Sequence, residues 1–268
     1  MGEAIVITSG KGGVGKTTTS ANLGTALALQ GKKVCLIDTD IGLRNLDVVL
    51  GLENRIIYDL VDVVEGRCKP HQALVKDKRF DDKLFLLPAA QTSDKTAVSP
   101  PQMKQLVDEM KQDYDYILID CPAGIEQGYK NAVAGADKAI VVTTPEISAV
   151  RDADRIIGLL EKEEGVEPPK LIINRIRPQM MKDGDVLDID EIAQHLSIDL
   201  IGIVQDDVEV IKSSNQGEPI ALNPNSTASI AYRNIARRIL GESVPLQALE
   251  DTNNGLFAKL KKLFSAKA

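Results

Sequence analysis

Eight residues constrain this chain more than any others: Gly10-Lys11-Gly12-Gly13-Val14-Gly15-Lys16-Thr17. They follow a short apolar run, Ala4 to Thr8. After them Leu23, Ala26, Leu27 and Leu29 recur at helical spacing until Gly31. Strand, glycine-rich turn and helix, in that order, is the setting in which G-x-x-x-x-G-K-[ST] cradles phosphate. The glycines let successive N–H groups curl inward, and the positive end of the following helix adds to the field there. Lys16 is placed to neutralise β- and γ-phosphates, and Thr17 to ligate Mg²⁺ through its hydroxyl. Nucleotide contacts are expected from Lys11, Gly12, Gly13, Val14, Gly15, Lys16, Thr17 and Thr18.

The rest of the chain repeats the strand–helix alternation. Continuous apolar runs end at Asp38, Leu87, Asp120, Thr143, Asn174 and Val204. Helical periodicity marks residues 103–111, 150–163 and 226–240. Strands buried on both faces and alternating with helices form a parallel sheet covered on each side. The expected fold is therefore α/β, a P-loop NTPase with a doubly wound, mainly parallel sheet flanked by helices. We expect the ATPase domain to span residues 1–242, a polar linker 243–254, and a C-terminal amphipathic helix 255–268.

Carboxylates fall at strand ends, where open α/β sheets bind ligands. Asp120 closes an apolar run and precedes Cys121-Pro122-Ala123-Gly124, the pattern of a Walker-B strand. It is expected on the Mg²⁺ shell, with Gly124 giving the loop freedom to sense the γ-phosphate. Asp38-Thr39-Asp40 follows the second strand. Asp38 is expected to support the metal. Asp40 is the candidate for orienting the attacking water, the plainer alternative being an ordinary helix cap. Asn174-Arg175-Ile176-Arg177 lacks the acid that an N-K-x-D guanine motif carries. Asn174 hydrogen-bonding an adenine edge and Arg175 stacking on it make ATP the expected nucleotide.

Lys11 is surplus to the ordinary phosphate loop. A long cation at its lip can reach the phosphates of a facing subunit and stabilise transition-state charge in trans. Lys11 through Thr17 resembles the deviant Walker A of the ParA/MinD ATPase family. Asp38-Thr39-Asp40-Ile41-Gly42-Leu43-Arg44-Asn45-Leu46-Asp47 resembles its switch I, and Asp120-Cys121-Pro122-Ala123-Gly124-Ile125-Glu126 its switch II. Ser214 to Pro219 is also similar to the division-site-selecting branch, and the likeness runs over essentially the whole chain. The resemblance implies an ATP-dependent homodimer in which Lys11 touches the partner's nucleotide and Asn45, Gly124 and Glu126 lie in the switch interface. It implies catalysis by Lys11, Lys16 and Asp40. It also implies membrane binding, recruitment of the division inhibitor MinC, and release stimulated by MinE or another topological factor. Arg44, Glu53, Asp152 and Asp154 are candidate partner contacts, a solvated charged face being the alternative.

Composition narrows the alternatives. The chain of 268 residues has net charge −7, only 3% aromatics and no Trp. That opposes a basic nucleic-acid binder or a base-stacking single-strand binder. Cys35, Cys68 and Cys121 are odd in number and widely spaced, so neither a disulfide framework nor a cluster site is expected. No signal peptide or membrane span is legible, and a cytoplasmic chain peripheral to the membrane is expected.

Residues 255–268 depart from the acidic average, with four lysines and no acid. Leu256, Phe257, Leu260, Leu263 and Phe264 form one helical stripe, with Lys261 and Lys262 off it, the pattern of a helix lying in an anionic lipid surface. Burying each large apolar side chain is worth ~1.5–3 kcal/mol, and ordering each residue costs ~1–2 kcal/mol. One tail should therefore bind marginally and two on a dimer with avidity. A partitioning ATPase gating DNA is the alternative, but DNA has no use for the apolar stripe.

Overall fold

The computed structural model describes residues 1–94 and 96–249, so the expected amphipathic helix at 255–268 and the end of the expected linker lie outside the described residues. The strands are β1 (Glu3–Thr8), β2 (Val34–Asp38), β3 (Val75–Lys76), β4 (Leu84–Leu87), β5 (Tyr116–Asp120), β6 (Lys138–Thr143), β7 (Lys170–Ile176) and β8 (Asp199–Gln205). The helices are α1 (Lys16–Leu29), α2 (Leu46–Leu50), α3 (Leu60–Val64), α4 (Pro70–Ala73), α5 (Pro100–Met110), α6 (Gln127–Ala134), α7 (Ile147–Leu160), α8 (Pro178–Lys182), α9 (Ile189–Leu196), α10 (Val208–Asn215) and α11 (Thr227–Ile239).

The strands form one sheet in the order β3-β4-β2-β5-β1-β6-β7-β8. Every pairing is parallel except β3 with β4. The expected doubly wound sheet is thus present, with one short antiparallel strand capping its edge. The chain winds outward from β1 to β2 and β4, returns to β5, and crosses β1 to build β6, β7 and β8. The reversal beside β1 leaves a crevice at the carboxyl ends of β1, β5 and β6, where α/β sheets bind ligands.

A core lies on each face. One packs Leu106, Val107, Val133, Ile156, Leu160 and Ile192 of α5, α6, α7 and α9 against the sheet. The other packs Leu23, Leu27, Leu46, Leu50, Tyr232 and Ile235 of α1, α2 and α11. Helix starts carry local signals. Gln102 Oε1 accepts the Ser99 N–H at the start of α5, Asp188 and Glu191 form a capping box for α9, and the Ser226 side chain accepts from Ser229 N–H at the start of α11. Such side chains satisfy N–H groups that the first turn leaves free. Helix α1 is buried along most of its length between the sheet and α11, and small residues such as Ala21, Gly24 and Ala28 permit that approach.

Past α11 the chain does not leave the domain at once. Arg238 Nε donates to Val244 O at 2.9 Å and its Nη2 to Pro245 O at 2.6 Å, while Nη1 holds Ile201 O at 2.9 Å. The start of the segment expected as a polar linker, 243–245, is irregular and is tied through Arg238 to β8.

Candidate nucleotide site

The loop between β1 and α1 is shaped by its glycines. Gly15 is the N-cap of α1 with φ +98°, a left-handed conformation that side chains with a Cβ rarely adopt. A Cβ there would also lie 2.3 Å from Asn174 Nδ2. Lys16, the first residue of α1, is buried, and its Nζ donates to Ser9 Oγ at 3.1 Å. Ser9 Oγ donates in turn to Lys11 O at 2.7 Å. Ser9 thereby braces the entry to the loop and holds the ammonium inside it.

Two carboxylates face this cradle from adjacent strands, Asp38 and Asp120 being register partners in the β2–β5 pair. Asp120 Oδ1 accepts from Ser20 Oγ at 2.7 Å. Asp38 Oδ1 accepts the Asp40 N–H at 2.9 Å and Oδ2 the Leu46 N–H at 3.2 Å. Asp38 therefore shapes the loop that follows β2. Both carboxyls are pushed above the usual carboxylate range. Burial is the main cause for each, with the negative charge of Asp120 adding to it at Asp38. The hydroxyls of Ser20 and Thr17 and the charge of Lys16 offset part of the rise at Asp120. Two buried carboxylates beside one ammonium favour a further cation. The donors around them, the Thr17 hydroxyl and carboxylate oxygens, are the hard oxygens that Mg²⁺ prefers. Among the described residues no three of His, Cys, Asp and Glu converge to hold a metal unaided.

The switch segments flank the cradle. Thr39 Oγ1 donates to Asp120 O at 2.6 Å, tying switch I to the Walker-B strand. Asp40 lines a cleft of about 190 Å³ with Thr39, Pro122, Glu126 and Tyr129, between the two switches. Gly124 has φ +97°. Glu126 and Asn45 sit at the N-caps of α6 and α2 without a side-chain capping bond, and both are exposed. Of the candidate partner contacts, Arg44 is engaged internally, its Nε 2.7 Å from the buried Asp47 carboxylate. Glu53 and Asp154 are exposed and Asp152 is half-buried. Lys11 is exposed, and its Nζ donates to Ser148 Oγ on α7 at 2.9 Å.

Beyond Gly15 and Thr18 lies a cavity of about 300 Å³ lined by Asn174, Arg175, Asp206, Val208 and Ile211. The β7–β8 register shifts between Ile173 and Ile176, and Arg175 takes φ +55° in the irregularity. Asn174 thereby comes under the phosphate loop, where its Nδ2 donates to Val14 O at 2.8 Å. Asn174, expected to hydrogen-bond an adenine edge, thus also supports the loop, and it lines the cavity together with Arg175. Reading the residues missed Ser9, Ser20 and Ser148. Only Ser20 had a local signal, three positions after Thr17 on the same helix face.

A family model described as the CobQ/CobB/MinD/ParA nucleotide binding domain matches residues 5–220. The septum site-determining protein MinD of Bacillus subtilis is 79% identical over 268 residues, 100% of each chain. The chain belongs to the MinD family. The MinC:MinD complex of Aquifex aeolicus contains a chain 52% identical, with TM-score 0.84, covering 92% of this chain and 98% of that one. MinD of Pyrococcus horikoshii, solved with Mg-ADP, is 30% identical with TM-score 0.80, over 89% and 96% of the two chains. The matched domain contains the phosphate loop, Asp38, Asp40, Asp120 and Asn174. The MinD family is one of septum site-determining ATPases, and this chain is such an ATPase. Among the described residues no helix is long and apolar enough to cross a membrane.

Proposed function

We propose that this MinD-family ATPase uses Mg-ATP to form a face-to-face dimer, and that the dimer holds the cytoplasmic membrane surface through residues 255–268 and recruits MinC. The observation that carries the dimer is Lys11. It lies outside the needs of its own cradle, exposed at the lip and resting on α7. Around the same carboxyl edge of the sheet, Leu43, Ile125 and Ile147 are 63%, 45% and 56% exposed. Large apolar residues grouped around a charged mouth suit a surface that a second subunit covers.

Within that dimer Lys16 and the loop N–H groups hold the β- and γ-phosphates. Thr17 and Asp120, with Asp38 supporting them, would hold Mg²⁺, whose charge would offset that of the phosphates. Asp40 orients water in the cleft between the switches. Lys11 of each subunit adds a cation to the facing nucleotide. The cavity beside Gly15 takes the base, with Arg175 stacking on it. MinC as a partner is supported by the Aquifex aeolicus complex, in which a relative half identical to this chain is bound to it. MinE or another topological factor would act on the same dimer.

Sedimentation velocity with ATP and Mg²⁺ tests this reading. Lys11→Ala should remain monomeric while still binding nucleotide, and Asp40→Ala should persist as a dimer without turnover. A Lys11→Ala dimer of unchanged affinity would remove the trans role.

A further inference from the structure

Arg79 belongs to none of the motifs above, yet it lies between two parts of the nucleotide site. Its guanidinium rests on Asp77, which is 1% exposed. Nε lies 2.9 Å and 3.1 Å from the two Asp77 carboxylate oxygens, and Nη2 lies 2.7 Å from Oδ2. So anchored, the fork reaches two carbonyls, one at the end of α2 and one just past the end of α10. Nη2 donates to Leu50 O at 2.6 Å, and Nη1 to Gly217 O at 3.1 Å. Leu50 is the last residue of α2, and Gly217 follows the C-cap of α10. Carbonyls at helix ends have no partner within the helix and carry the negative end of its dipole.

The helices also touch. A Cβ on Gly217 would lie 2.6 Å from Gly51 Cα, and one on Gly51 would lie 2.7 Å from Gly217 O. The backbones therefore meet directly, with no side chain between them to absorb a shift. At its other end, α2 presents the Leu46 N–H to Asp38 Oδ2 at 3.2 Å. At its own start, α10 lines the base cavity with Val208 and Ile211. A continuous path of hydrogen bonds and short helices thus runs from the base cavity through α10, Arg79 and α2 to the carboxylate beside the metal position.

We propose that Arg79 is a positioning residue that couples occupancy of the base cavity to the placement of switch I, so that base binding raises turnover as well as affinity. This rests on the assignment of that cavity to the base. Arginine suits the task because its planar fork holds one carboxylate and two carbonyls in fixed geometry. A lysine ammonium could keep the charge beside Asp77 but would not hold both helix ends.

A double-substitution cycle on the full chain, read as kcat and KM for ATP, tests it with Ile211→Ala and Arg79→Lys. Ile211 is 66% exposed, so its truncation disturbs the base cavity with little effect on folding. In the native background Ile211→Ala should raise KM and also lower kcat, by about fivefold, the lower end of common coupling between sites. In the Arg79→Lys background it should raise KM by the same factor and leave kcat where Arg79→Lys alone puts it. Equal kcat losses in both backgrounds would overturn the coupling and leave Arg79 a structural brace. Unchanged KM on Ile211→Ala in both backgrounds would instead overturn the base-cavity assignment, and the proposal with it. Thermal unfolding of each variant verifies that it is folded.

Discussion

Replacing Asp120 by Asn should make the nucleotide-free protein more stable while abolishing Mg-dependent turnover. The carboxyl is 2% exposed and stands across the β2–β5 pair from Asp38, itself 1% exposed. Burial drives its pKa above the normal range, and the attractions of Lys16, Ser20 and Thr17 do not fully offset that. A group whose proton is held more tightly in the folded state destabilises that state once ionised, by about 1.4 kcal/mol for each tenfold rise in proton affinity. Asn keeps the shape and can accept from Ser20 Oγ without the charge. Allowing for relaxation, a gain of about 1–3 kcal/mol is expected, or roughly 3–10 °C in Tm for a domain of this size. Because the folded pKa is raised, the penalty is full above it and fades as pH falls toward the unfolded value. The gain should therefore be largest near pH ~8 and small near pH ~4–5. Thermal unfolding in chelator at several pH values reads this directly. A variant less stable than the parent at the higher pH, or a gain independent of pH, would refute the account of the buried pair.

Two further substitutions probe the loop. Asn174→Ala removes the donor to Val14 O. An unsatisfied buried carbonyl costs about 1–3 kcal/mol, so both Tm and ATP affinity should fall, and calorimetry showing unchanged nucleotide affinity would contradict the supporting role. A Cβ at Gly10 would lie 2.0 Å from Asp152 O, a backbone atom of α7. Gly10→Ala must therefore displace the loop or the helix. It should weaken ATP binding by about tenfold, on the order of 1.4 kcal/mol, and titration with a fluorescent ATP analogue measures it.

The fold was legible wherever local sequence decides local structure. The apolar runs before Gly10, Thr39 and Cys121 end at the carboxyl edge of the sheet, as a buried parallel strand must, and the phosphate loop is identifiable from its glycines and Lys16 alone. Strand β3 was not legible because two residues, Val75 and Lys76, have no periodicity to read. The side-chain partners that build the site were hidden for a different reason. Ser148 meets Lys11 from 137 positions away, beyond any spacing rule, and although Ser20 shares a helix face with Thr17, its partner Asp120 lies 100 positions off. The placement of Asn174 depends on a register shift between β7 and β8, a property of two strands together. Arg79 looks like an ordinary surface charge until the ends of α2 and α10 are brought beside it.

Co-sedimentation with anionic vesicles tests the central claim most directly, using the full chain and a chain ending at Asn254, each with ATP and with ADP. The account predicts that the full chain pellets with vesicles in ATP and much less in ADP, and that the shortened chain stays in solution with either nucleotide. Equal binding of the full chain in ATP and ADP, or vesicle binding by the shortened chain, would contradict it.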